Sequence, residues 1–160
     1  MRSENPPLRN LQRLTSLYLR LALGVAFLSA VADRFGVWGP PGSHNVAWGN
    51  FTPFTQYTAK VNPWAPPSLV PMLAWAATVA EVILGLALLG GVYTRQAGLA
   101  SGVLLSLFAI GMTLGTGLKS ALDASVFSAA AGAFALALLA PDPWSVDGLR
   151  AASGRLDGAA

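Results

Sequence analysis

The chain has no cysteine and a single histidine, His44. Disulfides, thiolate metal sites, iron–sulfur clusters and a thiol redox centre are therefore excluded. One histidine also cannot make a bis-histidine haem site within one chain. Charge is scarce: 11% of the 160 residues are charged, against about 25% in an average soluble domain. A soluble protein of this size needs more charge to cover its surface, so the deficit points to lipid. The ten Lys and Arg give a net charge of +3, but they never form a block, so they carry topology information and are no nucleic-acid footprint. Catalytic signatures are missing as well. There is no GxSxG elbow, no Walker loop and no GxGxxG opening a helix after a strand.

What the chain does have is apolar length. From Leu14 to Ala32 it is apolar except for Arg20 and a few small polar residues. A second run spans residues 69–92, with Ser68 as a candidate cap, Pro71 in the first turn and one charge, Glu81, near its middle. Residues 96–118 are 23 positions without a charge, and about 20 suffice to cross a 30 Å hydrocarbon core. Residues 124–140 form the fourth run, closed by Pro141-Asp142-Pro143. The turns at Tyr93–Arg95 and Lys119–Asp123 are short, so neighbouring spans are antiparallel. The fold class predicted is an all-α, membrane-embedded four-helix bundle over residues 14–141. A polar segment, 1–13, precedes it and a small polar tail, 142–160, follows.

The loop 33–67 is broken repeatedly by Pro and Gly. Within it Thr52-Pro53 reads as a helix start, and Phe54, Tyr57, Thr58 and Val61 recur at helical spacing. That pattern predicts a short amphipathic helix at the membrane surface. Trp38, Trp48 and Trp64 suit the aromatic belt at headgroup level. With the N-terminus inside, seven arginines (2, 9, 13, 20, 95, 150 and 155) lie on the inner side and Arg34, Lys60 and Lys119 on the outer. The excess favours both ends in the cytoplasm of an inner-membrane protein. Residues 1–32 also read as a signal peptide, with Ala30-Val31-Ala32 as the cleavage site; removal would leave three spans in the same orientation.

Glu81 is the residue singled out for chemistry, because an ionisable group inside hydrocarbon is a functional-site hypothesis by default. Arg20 is its natural partner. It lies 13 residues before Asp33, and Glu81 lies 13 after Ser68, which puts the two at similar depth in antiparallel helices. Such a pair reads either as a quinone-binding or proton-relaying pocket or as a structural ion pair that fixes register. Asp33 and Arg34, together with Lys119 and Asp123, form a candidate polar mouth above it, or simply solvated interfacial charges. Gly98-x-x-x-Gly102 and Gly111-x-x-x-Gly115 mark close helix packing. His44 reads as a surface residue, and no metal site is predicted.

Several of these residues also carry a family likeness. Leu21-Ala22-Leu23-Gly24-Val25-Ala26-Phe27-Leu28 leads into Asp33-Arg34-Phe35-Gly36. The loop then offers Trp48-Gly49-Asn50-Phe51. Ala80-Glu81 follows with Gly85, Leu88-Leu89-Gly90 and Tyr93-Thr94-Arg95. Over about residues 16–140 the chain resembles the DoxX family of small bacterial membrane proteins. The resemblance implies a four-helix membrane bundle and an oxidoreductase setting. The family's name comes from a thiosulfate:quinone oxidoreductase subunit, and other members are linked to oxidative-stress tolerance. It carries Glu81 and Arg95 over as motif positions without an established catalytic role.

Three functions follow as expectations. The first is a membrane subunit of a quinone-linked oxidoreductase, with Glu81 as proton relay and Arg20 tuning it. It has no intrinsic cofactor, so electrons come from a partner protein or a bound membrane quinone. The second is a non-catalytic scaffold that anchors other proteins. The third, a small-solute or proton transporter, needs more room than four helices provide unless the chain forms a homo-oligomer.

Overall fold

The computed structural model describes residues 6–139 and 142–157. They form helices and connecting loops, with no strand among the described residues. Helix α1 (Pro6–Arg34) begins well before the apolar run, and its 29 residues reach about 43 Å. Helix α2 is Phe51–Val61, α3 Val70–Gly90, α4 Thr94–Thr116, α5 Leu118–Asp123, α6 Val126–Leu138 and α7 Val146–Asp157. Helices α1, α3 and α4 are long and apolar enough to cross a membrane. The run expected as a fourth continuous span is helical only over the 13 residues of α6, about 20 Å, with α5 as a separate turn before it. Together α1, α3, α4 and α6 close a ring of neighbours, so the chain is an all-helical membrane bundle with one short leg.

Glycine sets how closely the legs approach. A Cβ on Gly24 would lie 3.0 Å from the Gly85 carbonyl oxygen, and one on Gly85 2.9 Å from Leu28. The backbones of α1 and α3 therefore touch at this crossing, as small residues permit in lipid. Gly98 and Gly102 admit α6, with Gly102 packed under the Phe134 ring. Gly111 and Gly115 do a different job: a Cβ at Gly115 would collide with the Lys60 carbonyl, so this pair admits the end of α2. Leu23, Phe27, Leu88, Leu105 and Leu136 are among the buried apolar residues that fill the ring.

Two starts differ from the sequence reading. Asn50, not Thr52, caps α2, its side-chain oxygen accepting from the Thr52 N–H at 2.9 Å. Helix α3 takes Leu69 as its cap residue with no side-chain bond, leaving Ser68 outside. Helix α2 also sinks into the bundle, burying Phe54 and Thr58 against α3 and α4. The bundle thus has an α2 end and an α7 end.

Candidate functional site

Each end of the α1–α3 pair holds a buried charge cluster. At the α7 end Arg20, 1% exposed, donates from Nε to Asp142 Oδ2 at 3.1 Å and from Nη2 to Asp142 Oδ1 at 3.4 Å. Its Nη1 donates to the carbonyls of Leu88 at 3.1 Å and Leu89 at 2.9 Å. Those carbonyls belong to the last turn of α3, where the Gly91 N–H reaches Leu88 at 3.2 Å and helix-end carbonyls want further donors, so Arg20 caps α3 while pairing with Asp142. Gly91 ends α3 in the left-handed region at φ 64°, and a side chain there would strike the Arg20 guanidinium; glycine meets both demands. Helix α7 closes this end. The Asp147 carboxylate accepts from the amides of Tyr93 at 3.1 Å and Thr94 at 2.6 Å, and its own N–H donates to the Gly91 carbonyl at 3.0 Å. What reads in the sequence as a plain polar tail is, over 142–157, a loop and helix tied to the α3–α4 turn. Partial burial opposes ionisation of Asp147, but the Thr94 and Tyr93 donors, with the Arg150 charge, outweigh it and hold its carboxyl below the ordinary value.

At the α2 end the Arg34 guanidinium pairs with Glu81 and donates to Thr78 Oγ1 at 2.9 Å. It also lies 3.7 Å over the Phe54 ring, an electrostatically favourable seat for a cation. Asp33 Oδ2 accepts the amides of Ala47 at 3.1 Å and Trp48 at 2.9 Å, tying the loop to the end of α1. Asp33 Oδ1 and Arg34 Nε are buried without a hydrogen-bond partner. Aromatic rings surround the cluster. Phe51 stacks on Trp75 at 4.4 Å between centroids, Phe35 on Phe51 at 5.9 Å, and Trp48 lies against Phe54 and Tyr57.

The structure thus corrects the expected pairing. Arg20 does not meet Glu81; each has a different partner. The contact of Gly24 with Gly85 sets Arg20 level with Leu88 and Leu89, while Glu81 sits toward the α2 end. The first two turns of α3 run past the end of α1 to pack on the loop and α2, an offset invisible when both spans are counted from their outer charges. The polar mouth does not form as expected either. Lys119 and Asp123 pair with each other at 2.5 Å on α5, largely exposed, whereas Asp33 and Arg34 are buried. His44 is exposed, and among the described residues no three His, Asp or Glu are placed to hold a metal ion. Asp142 was missed because it follows a proline and reads as a loop end; its distance from the last apolar turn, one short step past α6, was the available signal.

Three apolar helices long enough to span, joined to a short fourth leg with ion pairs sealed inside, define a multi-pass membrane protein. Residues 12–140 match the family described as Methylamine utilisation protein MauE, and the chain belongs to that family. This corrects the resemblance to DoxX, which is a different membrane family. Many of the residues that suggested it are Gly, Ala and Leu, which membrane helices of unrelated families share. No curated protein and no solved structure matches the chain.

Proposed function

We propose that this chain is a membrane-embedded accessory subunit of a redox system for methylamine utilisation, one that holds a partner protein at the bilayer. The observation that carries this reading is the fate of the interior charges. Arg20, Arg34 and Glu81 are each neutralised within the chain, and the Arg20 pair ties α1, α3 and the α6–α7 loop together. Buried pairs of this kind serve register and specificity more than chemistry. With no cysteine and one histidine, electrons would pass through a partner. Four exposed or half-exposed arginines, Arg9, Arg13, Arg95 and Arg150, lie toward the α7 end, which supports an inner-membrane protein with that end in the cytoplasm. Native mass spectrometry of the protein extracted gently from its own membranes should show a stoichiometric protein partner. A bound quinone and no partner would overturn the reading.

A second reading, a quinone-linked oxidoreductase subunit, draws on the α2-end cluster. Asp33 Oδ1 and Arg34 Nε are buried without a partner, and Arg34, which pairs with Glu81, keeps in Nε an N–H that a quinone carbonyl could accept. A membrane quinone would supply two-electron chemistry there, with the electrons from a protein donor and Glu81 handling a proton. Glu81→Gln should then abolish quinone reduction while the protein still folds; retained turnover removes Glu81 from the mechanism.

A further inference from the structure

We propose that the α7 end is a binding surface for the phosphate headgroups of anionic phospholipids. Arg9, Arg95 and Arg150 are exposed and Arg13 half-exposed. The two acids at this end with described side chains are both engaged, Asp142 by Arg20 and Asp147 by the amides of Tyr93 and Thr94. Among the described side chains none of these arginines forms an ion pair, and only Arg150 feels a nearby carboxylate, that of Asp147.

Helix formation does not account for two of them. Arg9 lies in the first turn of α1 and Arg95 in the first turn of α4, where the positive pole of the helix disfavours a cation. At Arg95 the Asp147 carboxylate already takes the Tyr93 and Thr94 amides, so an external anion there meets the guanidinium itself; at Arg9 it would also offset the pole of α1. Asp147 holds the start of α7 against Thr94, so Arg150, one turn further on, is kept close to Arg95.

Lipid is the partner these surroundings fit. Tyr93, just before the spanning helix α4, is 63% exposed, and Trp144 and Leu149, in the loop and helix α7 that Asp147 ties to it, are each 61% exposed. Amphipathic rings flanked by cations are the pattern of an element seated among headgroups. A nucleic acid would leave those apolar groups in water, and an acidic protein is the alternative that the test separates from lipid.

The test uses the full chain in nanodiscs of equal parts phosphatidylglycerol and phosphatidylcholine, followed by native mass spectrometry of the lipids that stay bound. Phosphatidylglycerol should be retained over phosphatidylcholine. Loss of each arginine should weaken that preference about fivefold, so Arg95→Gln with Arg150→Gln should weaken it about 25-fold. Both side chains are exposed, so the fold should survive, which the thermal transition verifies. Arg95→Lys with Arg150→Lys should keep most of the preference. Equal retention of the two lipids, or a preference untouched by the double glutamine variant, overturns the proposal. So does retention of an acidic protein in place of lipid from native membranes.

Discussion

The two buried charge clusters are built from similar parts but are closed to different degrees. At the α7 end one guanidinium meets one carboxylate and two helix-terminal carbonyls. Neither Arg20 nor Asp142 is left with a buried unpartnered atom. At the α2 end the Arg34 guanidinium meets the Glu81 carboxylate, Asp33 turns to the loop amides, and Asp33 Oδ1 and Arg34 Nε remain unpartnered. Buried polar groups are expensive unless satisfied. A closed cluster is thus explained by stability alone, whereas an open one keeps polar capacity that stability does not need. The difference assigns clamping to Arg20 and Asp142, and leaves Asp33, Arg34 and Glu81 as the place where a ligand could act.

The comparison breaks first at Arg20. Arg20→Met leaves Asp142 buried without a cation and should cost about 3–5 kcal/mol, read as unfolding in detergent against denaturant. Adding Asp142→Leu should recover much of that loss, because two apolar groups replace the pair. Glu81→Gln should cost less, about 1–3 kcal/mol, because Arg34 keeps Thr78 and the Phe54 face. If Glu81→Gln proves as damaging as Arg20→Met, the two clusters are equivalent and the contrast fails. Gly115→Ala tests the α2 end separately. The new methyl meets the Lys60 carbonyl, should cost about 1–3 kcal/mol and should make the bond after Lys60 more open to trypsin.

The smallest expected effect concerns Asp147. Its carboxyl is held below the ordinary value, so the stability it contributes is present above that ordinary value and is lost as pH falls through the lowered one. A helix-end carboxylate of this kind contributes about 0.5–1 kcal/mol. Between pH ~6 and pH ~3, α7 should become more open to hydrogen exchange in the native chain. In Asp147→Asn that change should be largely absent, because the variant is already loosened at neutral pH.

Much of this architecture was legible from residue order. Uncharged runs announced the long helices, and Pro53 with the Phe54–Val61 spacing announced α2. The glycine pairs announced close packing, although Gly111 and Gly115 turned out to serve α2 and not a spanning helix. Charge pairing was not legible. It depended on the offset between α1 and α3, which goes with the Gly24–Gly85 contact and is absent from any count of residues within one span, just as the belt assigned to Trp38, Trp48 and Trp64 said nothing of which rings pack inward. Trp48 shows the same limit, since it is half-buried against Phe54 and Tyr57. Asp142 lay outside every apolar run, so counting within spans could not find it. The orphaned atoms of Asp33 and Arg34 are a matter of side-chain geometry, which no periodicity encodes.

The Arg20–Asp142 clamp also has a consequence in time. The two residues are 122 positions apart, and ribosomes add about 5–20 residues each second. The first helix therefore reaches the membrane with its arginine roughly 6–24 s before the matching carboxylate has been made. During that interval the Arg20 guanidinium has no carboxylate to meet. A chain that stops short of Asp142 never gains that partner, so its first helix keeps the cost of an unpaired charge in an apolar setting.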